Sequence, residues 1–160
     1  MKSIPKIFEI LRYIGVFIGF FLAFYYTNPI EQLNILSAWL VLSISGLTGL
    51  ESLFFGKIAS ESIGYKSAPE YQRQSGINNL SVAVITLVAI VFSWGFYAFL
   101  ALLCCMLLFL FLSGCNHAWS YTKGNKNIKN FMRLIMAVIL INICAPFIYH
   151  ALIAYAQLHK

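Results

Sequence analysis

An all-α integral membrane bundle of about five transmembrane helices is the fold this sequence predicts, and three observations predict it. Five apolar runs, at 11–27, 33–55, 77–92, 96–114 and 131–155, divide the 160 residues. Charged residues make up only 10% of the chain against 61% hydrophobic, with a mean hydropathy of +0.81. A water-soluble domain carries roughly 25% charged residues, so lipid must solvate much of this chain. The third observation is the placing of positive charge. Lys2, Lys6 and Arg12, then Lys57, Lys66 and Arg73, then Lys123, Lys126, Lys129 and Arg133 fall in alternate connections, and only Lys160 lies elsewhere.

Taken in order, the N-terminus sets Lys2, Lys6 and Arg12 before the apolar core of the first run and so imitates a signal peptide. Its end, AFYYTNP, offers no small-x-small cleavage site, so a retained signal-anchor helix is expected. Asn28-Pro29 marks the turn into the second run. The first and third runs fall short of the ~20 apolar residues a span needs, so snorkelling or mismatch is expected there. A tight, uncharged Ser93–Tyr97 link joins the third and fourth runs, and its Trp94 and Tyr97 suit the membrane interface. In the fifth run Pro146 is expected to kink the helix, and mid-span Asn142 to bond a neighbouring helix. Gly15 and Gly19, and Ser45 and Gly49, are small-xxx-small pairs expected to serve internal packing. One transmembrane domain, 1–160, results, with its N-terminus in the cytoplasm and its C-terminus outside a bacterial-type inner membrane. All three cytoplasmic segments of that topology are basic and both outer loops lack Lys and Arg.

Several function classes fall away. The net charge of +6 is dispersed through short connections without a continuous basic face, which argues against nucleic acid as a partner. Cys104, Cys105, Cys115 and Cys144 lie in or beside apolar runs without a CxxC pair and read as small apolar fillers. No phosphate loop, nucleophile elbow or HExxH motif is present, so no catalytic residue is assigned.

Glu51, about four residues inside the cytoplasmic end of the second span, is the one clear intramembrane carboxylate. It is expected to act at a site, or to reach interfacial water or pair with a loop cation such as Lys57. Gln72, Gln74, Asn78, Asn79, Asn116 and His117 fall at the same level, and in one bundle they would form a polar cluster with Glu51, as a binding site, a proton relay or a structural network. Tight metal binding needs three or four ligands, and only Glu51 and His117 offer themselves, so no metal is assigned. His117 and His150 belong to opposite ends of their spans, ~25–30 Å apart across the hydrocarbon, too far for one haem, and no cofactor is expected.

Three roles are compatible with these residues. The foremost is an accessory or structural membrane component, with lipid and a membrane-protein partner or a second copy as its contacts. A small transporter or channel component using Glu51 and the amides is the alternative, and a membrane enzyme or redox protein the third. The basic segment Lys123-Gly124-Asn125-Lys126 with Lys129 reads as a topology determinant rather than a lipid head-group site.

Two neighbouring stretches carry a family resemblance. Ala59-Ser60-Glu61-Ser62-Ile63-Gly64-Tyr65, followed by Pro69-Glu70-Tyr71-Gln72-Arg73-Gln74-Ser75-Gly76-Ile77-Asn78-Asn79-Leu80, resembles a small prokaryotic membrane-protein family known as a domain of unknown function. That family's pattern looks like A-E-x-I-G-W, a spacer, then P-F-Q-x-E-x-G-x-A-N-L, with a later His. Ile63, Gly64, Gln72, Gly76, Asn79 and Leu80 match, Tyr65 and Tyr71 replace aromatic residues, and His117 resembles the later His. Gln74 stands where the pattern is acidic, and Glu70 is additional. The resemblance implies the membrane architecture and no activity.

Overall fold

Helices account for every regular element in a computed structural model of the chain, which is described over residues 4–62, 69–124 and 126–159. They are α1 (Ile4–Tyr25), α2 (Pro29–Val41), a π-helical turn (Leu42–Gly46), α3 (Leu47–Ser62), α4 (Pro69–Val91), α5 (Phe96–Thr122) and α6 (Ile128–Leu158). Because α2, the π turn and α3 succeed one another without a break, the elements make five rods, each long and apolar enough to cross a membrane. Lys2, Ile63, Gly64, Tyr65, Lys66, Asn125 and Lys160 lie outside the described residues.

Each rod extends past at least one end of the apolar run that predicts it. Helix α1 has 22 residues and α4 has 23, which at ~1.5 Å per residue gives ~33–35 Å against a hydrocarbon core of ~30 Å. Neither helix is short, then; only its apolar part is. Polar residues continue the helix because the backbone still bonds internally where the side chains reach water.

Local chemistry fixes the connections. Asn28 caps α2 by accepting a hydrogen bond from the Ile30 amide at 2.9 Å, with Pro29 in the first turn, where its missing N–H is harmless. Gln32 then donates to the Tyr26 carbonyl at 2.6 Å and pins the hairpin. Between α4 and α5 the chain reverses through Ser93 and Gly95, both at positive φ (49° and 82°). Asn127 caps α6 by accepting from the Lys129 amide at 3.1 Å.

Helix α2 lies at the centre. Its Leu33, Leu36, Leu40 and Val41 share one buried cluster with Ala23 of α1, Leu103 and Met106 of α5, and Cys144 and Ala151 of α6. Helix α3 diverges from that centre and packs on α1 and α4, while α5 and α6 pair with each other. The bundle is therefore joined around α2 and divided beyond it. The apolar side chains left exposed, among them Phe17, Phe21 and Phe24 of α1 and Leu108 and Leu112 of α5, face outward as a lipid-solvated surface requires.

Small residues set the closest crossings. A Cβ added at Gly19 would lie 2.9 Å from Trp39 Cβ, and one at Gly15 would strike the Ser43 side chain, so the first small pair seats α1 on the second rod. Gly49 and Gly76 bring α3 and α4 together backbone to backbone. Asn142 departs from expectation: it is exposed, and its Nδ2 donates 2.8 Å to the Val138 carbonyl of its own helix, not to a neighbour. A side chain pointing away from the bundle finds no other acceptor within reach. Helix α6 runs through Pro146 as one element of 31 residues.

Candidate functional site

Two irregularities isolate the segment that carries Glu51. The π turn at Leu42–Gly46 inserts an extra residue and so rotates α3 by about 100° relative to α2. Phe55, at φ −133° and ψ 16°, breaks the helical path again four residues after Glu51. Between them, Thr48 and Glu51 lie on the face that meets α1.

Arg12 meets them there. Its Nη2 donates to Glu51 Oε2 at 2.7 Å and its Nη1 to Thr48 Oγ1 at 2.9 Å, so the fork of the guanidinium clips α1 to α3. Glu51 is 7% exposed. One turn before Arg12 and one turn after Glu51, the rings of Phe8 and Phe55 pack with centroids 5.9 Å apart and flank the pair. A buried carboxylate paired with one guanidinium is charge-neutral as a unit, which makes its place inside an apolar bundle tolerable. Lys57, the loop cation expected as a possible partner, is exposed. The signal for the true partner is present in the sequence: Arg12 is the second residue of the first apolar run, and a cation inside a span needs a counter-charge. Thr48 carries no such signal.

The amides of α4 divide between its two faces. Gln72 is half-buried against Gly56 of α3, and Asn79 is buried, its Nδ2 donating 2.9 Å to the Ser75 carbonyl. Gln74 and Asn78 are exposed. Consequently Gln72, Gly76 and Asn79 line the α3 contact, whereas Gln74 and Asn78 point away from it.

His117 and Asn116 belong to a different contact. Arg133 of α6 donates from Nη1 to His117 Nε2 at 2.8 Å, which leaves the ring proton on Nδ1, and Asn130 also hydrogen-bonds the ring. Asn116 beside it is exposed. The structure thus builds two polar clips, Arg12–Glu51–Thr48 between α1 and α3 and His117–Arg133–Asn130 between α5 and α6. Among the described residues no three His, Cys, Asp or Glu side chains converge as metal ligands. Replacing His117 by Ala is expected to lower stability by about 1 kcal/mol, read as a lower thermal midpoint in detergent; an unchanged midpoint would mean that the His117–Arg133 bond holds nothing.

Beyond its geometry, the chain matches the model of a family of unknown function (DUF6790) over residues 3–160. The chain belongs to that family. No curated protein and no solved structure matches it. Membership agrees with the resemblance to a membrane-protein family of unknown function and brings no activity with it. The packing does give a physical reason for part of the resembling stretch. Gly76 suits a tight crossing, because a Cβ there would lie 3.0 Å from both Ser52 Cβ and Leu53 Cγ, and the Leu80 backbone lies under Gly49.

Proposed function

We propose that this protein is an accessory, structural component of a bacterial-type inner membrane, a multi-pass protein with its N-terminus in the cytoplasm. The carrying observation is the commitment of Glu51, the one carboxylate within the apolar core of a span, to Arg12 of the same chain. A transport or proton-relay carboxylate must exchange partners during its cycle. Glu51 is instead enclosed beside the Phe8–Phe55 contact, where its bond to Arg12 holds two helices in register.

A charge swap separates the two kinds of role. In a structural clip, Glu51→Arg alone and Arg12→Glu alone reduce membrane abundance several-fold, and the double swap restores most of it with the protein's cellular role intact. The accessory role further expects one defined membrane protein to co-purify in fixed stoichiometry in mild detergent. A solitary protein under those conditions, together with a swap that restores abundance but not function, counts against it.

The second reading, a transporter component working through Glu51, draws support from the π turn and the Phe55 break around the Glu51 segment, since such irregularities recur where helices move or bind. It expects Glu51→Gln to abolish substrate flux at unchanged abundance. Loss of abundance in step with flux returns the case to the structural clip.

A further inference from the structure

Asn142 stands near the middle of α6, ~21 Å from Ile128 and ~24 Å from Leu158 at ~1.5 Å per residue. It therefore lies near the bilayer mid-plane when α6 crosses, and its side chain is exposed on the outside of the bundle. One amide N–H is used on the Val138 carbonyl. Neither the second N–H nor Oδ1 meets a partner among the described residues. One turn later Pro146 is exposed too and supplies no N–H, so the backbone carbonyl of Asn142 also loses its usual donor at this level. Hydrocarbon satisfies none of these groups.

From this we infer that α6 is the contact of a homodimer, in which the Asn142 carboxamides of two copies hydrogen-bond each other across a two-fold axis. A carboxamide is both donor and acceptor, so a second copy presenting the same group answers it in kind, as an isologous interface demands. Nδ2–H of each copy donates to Oδ1 of the other. Ala145 and Pro146, one turn along the same exposed face, let the backbones approach, and Val138, Ile139 and Tyr149 complete an apolar surround. Helix α6 is also the least buried of the five rods, which leaves this face open along its length. The dimer is independent of the cellular role proposed above.

Full-length protein labelled at its N-terminus with donor or acceptor dyes, reconstituted in liposomes over a series of lipid dilutions, tests it by energy transfer. Wild type should associate, and Asn142→Leu should need about tenfold more protein per lipid for the same transfer. Asn142→Gln, which keeps the self-complementary amide, should stay within about threefold of wild type. Phe17→Leu, on the exposed face of α1, should match wild type. Each variant should keep wild-type helix content at the highest lipid dilution, because within one copy Asn142 bonds only its own helix. Wild type that stays monomeric at every dilution overturns the inference, even if α6 is shielded by another protein in native membranes. Unchanged association of Asn142→Leu, or an equal loss in Phe17→Leu, overturns it as well.

Discussion

Arg12→Ala is expected to destabilise the fold by about 3–5 kcal/mol, the range for stripping one partner from a buried ion pair. The loss comes mainly from the charge left behind. Glu51, 7% exposed, would be left among apolar groups without its cationic partner. Removing both charges as Arg12→Leu with Glu51→Leu should recover most of that loss, since apolar side chains of similar volume suit this site as well as a desolvated pair does. Arg12→Lys should fall between, because an ammonium supplies one point of charge where the guanidinium fork reaches both Glu51 and Thr48. Unfolding monitored by tryptophan fluorescence in mixed micelles measures all three. Equal destabilisation by Arg12→Ala and by the double Leu variant would show that the stem of Arg12, and not its charge, holds the helices together.

Gly49→Leu should be nearly as damaging, for a reason that involves no charge. A Cβ at residue 49 would lie 2.9 Å from the Leu80 amide nitrogen and 3.1 Å from both the Gly76 carbonyl oxygen and Leu80 Cα. All three are backbone atoms in a regular helix, so no side-chain rotation relieves the contact and α4 must move away from α3. Even Gly49→Ala should cost about 1–3 kcal/mol as overpacking, and Leu more. Gly46→Ala is the matched control, because its added methyl would meet only Ala83 Cβ at an ordinary 3.5 Å. A thermal midpoint that falls steeply for residue 49 and barely for residue 46 is the expected pattern. Equal effects at the two positions would place the close crossing elsewhere.

How much of the fold and site is legible in the sequence depends on the range of the interaction. Five rods emerge from hydropathy, because burying a backbone in lipid is decided segment by segment. Helix ends do not: α5 continues to Thr122, past the apolar run that ends at 114, since hydropathy reports the hydrocarbon and not the hydrogen-bonded helix. The Gly15–Gly19 pair is legible as internal packing because a four-residue spacing of small side chains is itself a face. The candidate site is harder. Sequence position puts Glu51 and His117 at one level, but level says nothing about azimuth. The π turn, invisible in composition, directs Glu51 toward α1, while His117 meets Arg133 on the other side of the divide. Asn142 faces outward and not toward a neighbour for the same reason: its height is legible in the sequence and its direction is not.

The bond between Arg12 and Glu51 is the joint on which the clip between α1 and α3 depends, and a double-mutant cycle on these two residues measures it directly. With Arg12→Ala, Glu51→Ala and the double variant unfolded under identical conditions, the two substitutions should be far from additive, with a coupling of about 2 kcal/mol or more. Additive losses, within about 0.5 kcal/mol, would mean that α1 and α3 are not joined by this ion pair.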